Sequence, residues 1–133
     1  MRTTILLATL ALLFSACSDD GSVNSIMDGT YVGTFMITLE DGQIQTGDVA
    51  FTFNGSSYSC LPQQRYLPPS GAGSFQTMGQ VLRLKDTSMH TAEFDWTLIL
   101  NGDFSFTFNG LHLVLQQNDT EYHRVRTINL TRK

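Results

Sequence analysis

From Gly29 onward apolar and polar residues alternate with a period of two, and no stretch repeats apolar residues at helical spacing over three turns. Successive side chains of a strand point to opposite faces, so this alternation predicts half-buried strands. Segments of that kind fall near 30–40, 44–53, 56–61, 72–78, 80–86, 92–100, 103–108, 111–117 and 121–131. The pairs Asp41-Gly42, Asn54-Gly55, Asn101-Gly102 and Asn109-Gly110 stand between segments and mark tight hairpins.

Residues directly opposed across a hairpin share a face, which sets the expected registers. A two-residue turn at Asn54-Gly55 puts Phe51 opposite Tyr58 and Val49 opposite Cys60. The same turn at Asn109-Gly110 puts Phe106 opposite Leu113 and Phe104 opposite Leu115. At Asn101-Gly102 a two-residue turn mixes the faces. A three-residue loop, Leu100-Asn101-Gly102 with Gly102 left-handed, instead pairs Trp96 with Phe106 and Leu98 with Phe104. Glu40-Asp41-Gly42 works in the same way and sets Tyr31 against Phe51.

One apolar face results, holding Tyr31, Phe35, Ile37, Val49, Phe51, Phe53, Tyr58, Cys60, Phe94, Trp96, Leu98, Phe104, Phe106, Phe108, Leu111, Leu113 and Leu115. Leu82 and Leu84 join it, with Arg83 and Lys85 outside. The last segment changes parity between Val125 and the pair Ile128 and Leu130, which predicts a bulge near Arg126 or Thr127. Without a helix to cover the greasy face, the sheet must bury it against itself. The expected fold is all-β: an antiparallel up-and-down meander of eight or nine strands closed into a small barrel, with a β-sandwich as the alternative.

The first residues follow a different logic. Arg2 precedes the apolar run Ile5–Phe14, too short to span a bilayer as a helix, and small residues follow at Ser15-Ala16. That is the plan of a secretory signal peptide over 1–16. Phe14-Ser15-Ala16-Cys17 resembles the bacterial lipobox, which implies cleavage before Cys17 and acylation of its sulfur, palmitate among the acyl chains. Several acyl chains hold a protein on a membrane far better than one. Ser18 after the cysteine resembles outer-membrane sorting, and Ser18-Asp19-Asp20 looks like an acidic surface-export signal. The expected organisation is a signal peptide over 1–16, lipidated Cys17 and a tether over 17–28, and a barrel over 29–133, held at the outer membrane or cell surface.

The opening Gly29-Thr30-Tyr31-x-Gly33, with a meander ending in Ile128-Asn129-Leu130-Thr131-Arg132, resembles the small lipocalin-like (calycin) lipoproteins of Bacteroidetes type. The resemblance covers about 29–133. It implies a barrel that binds a small or hydrophobic ligand, or acts as an inhibitor. Tyr31 stands near the place of the tryptophan in the lipocalin Gly-x-Trp opening.

Eight basic residues against twelve acidic ones give a net charge of −4, which excludes nucleic acid as an expected partner. Two cysteines make no disulfide framework, and with Cys17 acylated, Cys60 reads as a small buried hydrophobe. His90, His112 and His123 do not converge at metal-ligand spacing, and His112 is expected to face outward opposite Thr107. No Gly-x-Ser-x-Gly elbow, phosphate loop or buried carboxylate pair occurs. The expectation is therefore a monomeric, non-enzymatic protein without cofactor or metal. The segment 61–71 contains all three prolines together with Arg65 and Tyr66, residue types favoured at contact sites. Arg65, Tyr66 and Trp96 are the candidate binding residues for a small hydrophobic ligand or a glycan, and the 61–71 loop also suits a protein-interaction or inhibitor module. A hydrolase is the third alternative.

Overall fold

The computed structural model describes residues 25–63, 67, 68 and 70–133. The leader over 1–16, Cys17, Arg65 and Tyr66 lie outside the described residues. Eight strands follow one another in chain order: β1 (Gly29–Leu39), β2 (Ile44–Asn54), β3 (Ser57–Pro62), β4 (Gly71–Met78), β5 (Val81–Asp86), β6 (Gly102–Phe108), β7 (His112–Asp119) and β8 (Arg124–Arg132). Each pairs antiparallel with the next, and β1 pairs with β8 from Tyr31↔Arg132 to Leu39↔Arg124, so the meander closes into a barrel. No sheet edge is left for another chain to extend.

Closure gives every strand one inward face. Tyr31, Phe35, Phe51, Phe53, Phe104, Leu82, Leu113, Leu115 and Ile128 are buried completely, and Phe75, Tyr58 and Cys60 are buried beside them. The rings lock edge to face, Tyr31 on Phe53 at 5.5 Å between centroids and Phe53 on Phe75 at 5.1 Å. An eight-stranded barrel is wide enough either to be packed by its side chains or to hold one small ligand, and here buried aromatic rings from β1, β2, β3, β4 and β6 point into it.

The turn chemistry explains which registers were legible. At Glu40-Asp41-Gly42 the expected three-residue loop forms: Gly42 takes φ +83°, Asp41 Oδ1 accepts the Gln43 N–H at 2.9 Å, and Tyr31 pairs with Phe51. The two Asn-Gly hairpins are each displaced by two residues. In both, Asn is the last paired residue and Gly the first turn residue, so Phe53 opposes Tyr58, Phe51 opposes Cys60, and Phe106 opposes Leu115. Asn109 shows why. Its Oδ1 accepts the N–H groups of Leu111 at 3.0 Å and His112 at 2.7 Å, which holds Asn109 before the turn rather than inside it. A slip of two preserves the inward face, because the side-chain period is two. It does move Leu111 into the turn, 49% exposed rather than inside as expected. It also sets His112 opposite Asn109 instead of Thr107, with the Asn109 N–H donating to the His112 carbonyl at 3.2 Å.

Two expectations are overturned. The segment 92–100 is not a strand: β5 pairs directly with β6 through Leu82↔Phe104, and 87–101 is a loop with one 3₁₀ turn, Trp96–Leu98. Asp95 Oδ1 accepts from the Thr97 N–H at 3.0 Å and the Thr97 hydroxyl at 2.7 Å, a local cap that competes with sheet pairing. Phe94 and Trp96 consequently leave the core, while Leu98 packs against it. The bulge expected near Arg126 or Thr127 is also absent, since the β7–β8 and β1–β8 registers run without interruption. Unbroken parity turns Arg124 and Arg126 inward with Ile128 and Leu130.

β1 crosses β8 most closely at Gly33, where an added methyl group would overlap the Asn129 carbonyl. Gly33→Ala is expected to lower unfolding stability by about 2–3 kcal/mol in urea titration, as overpacking against backbone does.

Candidate functional site

The strand directions sort the connections onto two ends. The turns after β2, β4 and β6 and the entry of the chain at Ile26–Gly29 lie at one end. Ile26 is buried there, Tyr31 Oη donates to the Met27 carbonyl at 2.7 Å, and Asp28 Oδ1 accepts the Gly55 N–H at 2.9 Å. The connections 40–43, 87–101 and 120–123 lie at the opposite end, where β3 also ends and β4 begins. Long loops on a rigid scaffold are where recognition is usually built.

The 87–101 loop closes over that end. Leu100 inserts, 2% exposed, and its carbonyl accepts from Tyr58 Oη at 3.2 Å. At its start, Asp86 Oδ1 accepts the Ser88 N–H at 2.7 Å and lies 3.2 Å from His90 Nε2, a pair shielded from solvent. His90 stacks on Phe94 at 4.6 Å and meets the edge of Trp96 at 5.7 Å. Ser88 Oγ is engaged by the Ala72 backbone, at 2.6 Å from its nitrogen and 3.2 Å from its oxygen. Asp86, His90 and Ser88 thus fasten the loop to β4, with the hydroxyl bound to backbone.

Under the loop sits the layer that parity creates. Asp119 Oδ2 accepts from Arg124 Nε at 2.9 Å and from Arg126 at 2.9 Å. Arg126 also donates to the Ile99 carbonyl at 3.0 Å and to Gln117 Oε1 at 3.1 Å, and both arginines donate to the Thr97 carbonyl. A buried charge is tolerated only when paired and hydrogen-bonded, and these guanidinium groups find their partners in one carboxylate and the loop backbone. Arg126 Nε is buried without a partner.

The electrostatics follow from burial. Burial by itself would push the Asp119 carboxyl up. The Arg124 hydrogen bond, the Tyr122 N–H and the charges of Arg126 and Arg124 together outweigh it and hold that carboxyl below its ordinary value. Burial first, then the Arg124 charge, pushes the Arg126 guanidinium down, against the opposing pull of Asp119. Cys60, 1% exposed, has its thiol pushed up to about 12 by burial and secondarily by the Asp86 charge. A thiol in that state is protonated at neutral pH and is a poor nucleophile.

Beside this layer opens a cleft of about 470 Å³, lined among others by Trp96, Asn101, Asn118, Glu121, Tyr122 and Arg126. That volume lies within the range of small-molecule sites. Trp96 is 56% exposed and Tyr122 46%. Of the three binding residues expected from the sequence, Trp96 therefore reaches the cleft, from a loop rather than from a strand. Arg65 and Tyr66 lie outside the described residues, in a connection whose flanking strands end on the same side. Tyr122, Arg124, Arg126 and Asp119 escaped sequence reasoning. The signal for the two arginines is the unbroken alternation Arg124, Arg126, Ile128, Leu130, which the apolar Val125, read as inward, disguises as a change of parity. Among the described residues, no three His, Cys, Asp or Glu side chains gather to hold a metal ion.

Fold and site together define a small eight-stranded antiparallel barrel with an aromatic-lined interior and a polar-lined cleft at its loop end. No protein-family model, curated protein or solved structure matches the chain significantly.

Removing the shared carboxylate leaves two buried cations short of a partner. Asp119→Asn is expected to lower stability by about 1–3 kcal/mol, measured by urea unfolding at pH 7. Because the folded carboxyl titrates below its unfolded value, its contribution is fully present above about pH 4 and is lost as pH falls through the folded value. The parent should therefore lose stability below pH 4 more steeply than the asparagine variant.

Proposed function

We propose that this protein is a non-enzymatic, lipid-anchored barrel of the lipocalin-like kind, held at the outer membrane or cell surface, that binds a small ligand in its loop-end cleft. The observation that carries the reading is the division of space inside the molecule. The barrel interior is occupied by its own rings, whereas the loop end offers an open cleft with two exposed aromatic side chains. Ligand recognition then belongs to the mouth and its loops.

The orientation of the chain supports the same reading. The described chain enters the barrel at the tight-turn end, opposite the cleft, an arrangement that suits attachment at one end and binding at the other. Anchoring itself rests on the lipobox resemblance of 14–17 and on the short apolar run before it. The engaged Ser88 hydroxyl and the protonated, buried Cys60 thiol favour a binding role over a hydrolytic one.

Ligand binding to the folded state raises the unfolding midpoint. A ligand at a hundred times its Kd adds about 2.7 kcal/mol, equivalent to about 10 °C in a domain of this size. Thermal melts of the full chain with phospholipids, bile acids and oligosaccharides should show such a rise with one class, and a panel that leaves the midpoint unmoved would overturn the reading. Metabolic labelling with tritiated palmitate should mark the chain in a bacterial host and be lost in Cys17→Ala. Equal labelling of parent and variant would sink the anchor.

A further inference from the structure

We infer that the loop-end cleft takes a neutral saccharide, stacked on Trp96 and Tyr122 and hydrogen-bonded by the amides and hydroxyls around them; this deepens the mouth-binding reading and rests on it. The first observation is that two half-exposed aromatic rings line one cleft, each in contact with a neighbouring side chain. The Arg124 guanidinium lies 4.8 Å from the Tyr122 ring centroid, and the Trp96 ring meets His90 edge-on at 5.7 Å. Rings already fixed in place lose little freedom when a ligand arrives. The electron-rich face of an aromatic ring attracts the C–H face of a sugar, which is apolar there and hydroxylated at its edge.

The second observation is the character of the remaining lining. Ile99 is its one aliphatic side chain among the described residues. Asn101, Asn118 and Thr120 offer donors and acceptors together, the mixture that hydroxyl groups require. A fatty acyl chain would leave those groups unpaired at a cost that selects against it.

The third observation concerns charge. Asp119 and Glu121 line the cleft with a single cation, Arg126. The terminal nitrogens of Arg126 are already committed to Asp119, Gln117 and the Thr97 and Ile99 carbonyls. Only its Nε is left without a partner. That Nε is buried, so among the described residues the cleft has no exposed cation to grip a carboxylate or sulfate, which calls for paired donors. The cleft is therefore matched to an uncharged, hydroxyl-rich ligand.

Trp96 is the only tryptophan of the chain, so its emission reports on this cleft directly. The test uses the full chain carrying Cys17→Ser. It is titrated with maltohexaose, cellohexaose, mannohexaose, xylohexaose and N-acetylchitohexaose, with oligogalacturonate as the anionic probe and oleate as the apolar one. At least one neutral hexasaccharide is expected to change Trp96 emission saturably. Tyr122→Ala should weaken that binding about tenfold, while Tyr122→Phe, which keeps the ring, should stay close to the parent. Trp96→Ala, followed by calorimetry, should weaken it by a similar factor, with circular dichroism showing that each variant keeps the barrel. Saturation by oligogalacturonate or oleate with the neutral sugars silent would overturn the saccharide and leave mouth binding standing. Silence from every probe would overturn both. Sugar binding that survives both alanine substitutions would place the ligand elsewhere and likewise overturn the inference.

Discussion

Closure of β1 onto β8 is the constraint from which the rest follows. Once the two terminal strands pair without a bulge, every residue of β8 has its face decided by parity alone, whatever its chemistry. Ile128 and Leu130 then complete the aromatic interior, and Arg126 and Arg124 are carried inward at the same end of the same strand. A bulge would have released the arginines, but it would also have broken two ladders of backbone hydrogen bonds inside a closed sheet. The fold keeps the ladders and supplies partners for the charges instead.

Those partners come from two directions. Asp119 sits directly opposite Arg124 across the β7–β8 hairpin, so the carboxylate is delivered by local pairing. The Thr97 and Ile99 carbonyls come from a loop nearly thirty residues away in sequence. The arginine layer therefore joins the barrel wall to the 87–101 loop, and the cost of burying two cations is offset only when that loop is seated. The Tyr58 bond to Leu100 and the Asp86–His90 pair secure the two ends of the loop, and the arginines hold its middle. The cleft beside Trp96 and Tyr122 is a consequence: Arg126 and Asp119 form part of its lining, the Arg124 guanidinium lies over the Tyr122 ring, and His90 contacts Trp96.

The interior and the mouth divide the work between them. Rings packed edge to face and stacked line the interior, whereas the loops at the mouth can vary in shape without disturbing that core. The tight-turn end receives the incoming chain and is pinned by Ile26, Met27 and Asp28, so the two ends of the barrel differ in structure as well as in loop length. The proposed roles respect that polarity, with attachment at one end and ligand at the other.

Most of the barrel was legible in the sequence because a period of two survives errors of even register. The Asn54-Gly55 and Asn109-Gly110 hairpins were each displaced by two residues, yet Phe51, Phe53, Tyr58, Phe106 and Leu113 kept their inward face. Local rules also sufficed at Glu40-Asp41-Gly42, where turn chemistry and face agree. They failed at 92–100, where Phe94, Trp96 and Leu98 alternate like a strand, but an Asp95–Thr97 cap and a barrel already complete with eight strands leave them no partner. They failed again at Arg124 and Arg126, because an inward arginine is acceptable only when Asp119, Gln117 and the carbonyls of a distant loop converge on it. The amino-acid pattern by itself determined the strands, the inward rings and the closed sheet, since each depends on neighbours two residues apart or across a hairpin. That Trp96 and Tyr122 line one cleft was decided only when the 87–101 loop packed against the arginines of β8, since those contacts join segments that no local periodicity relates.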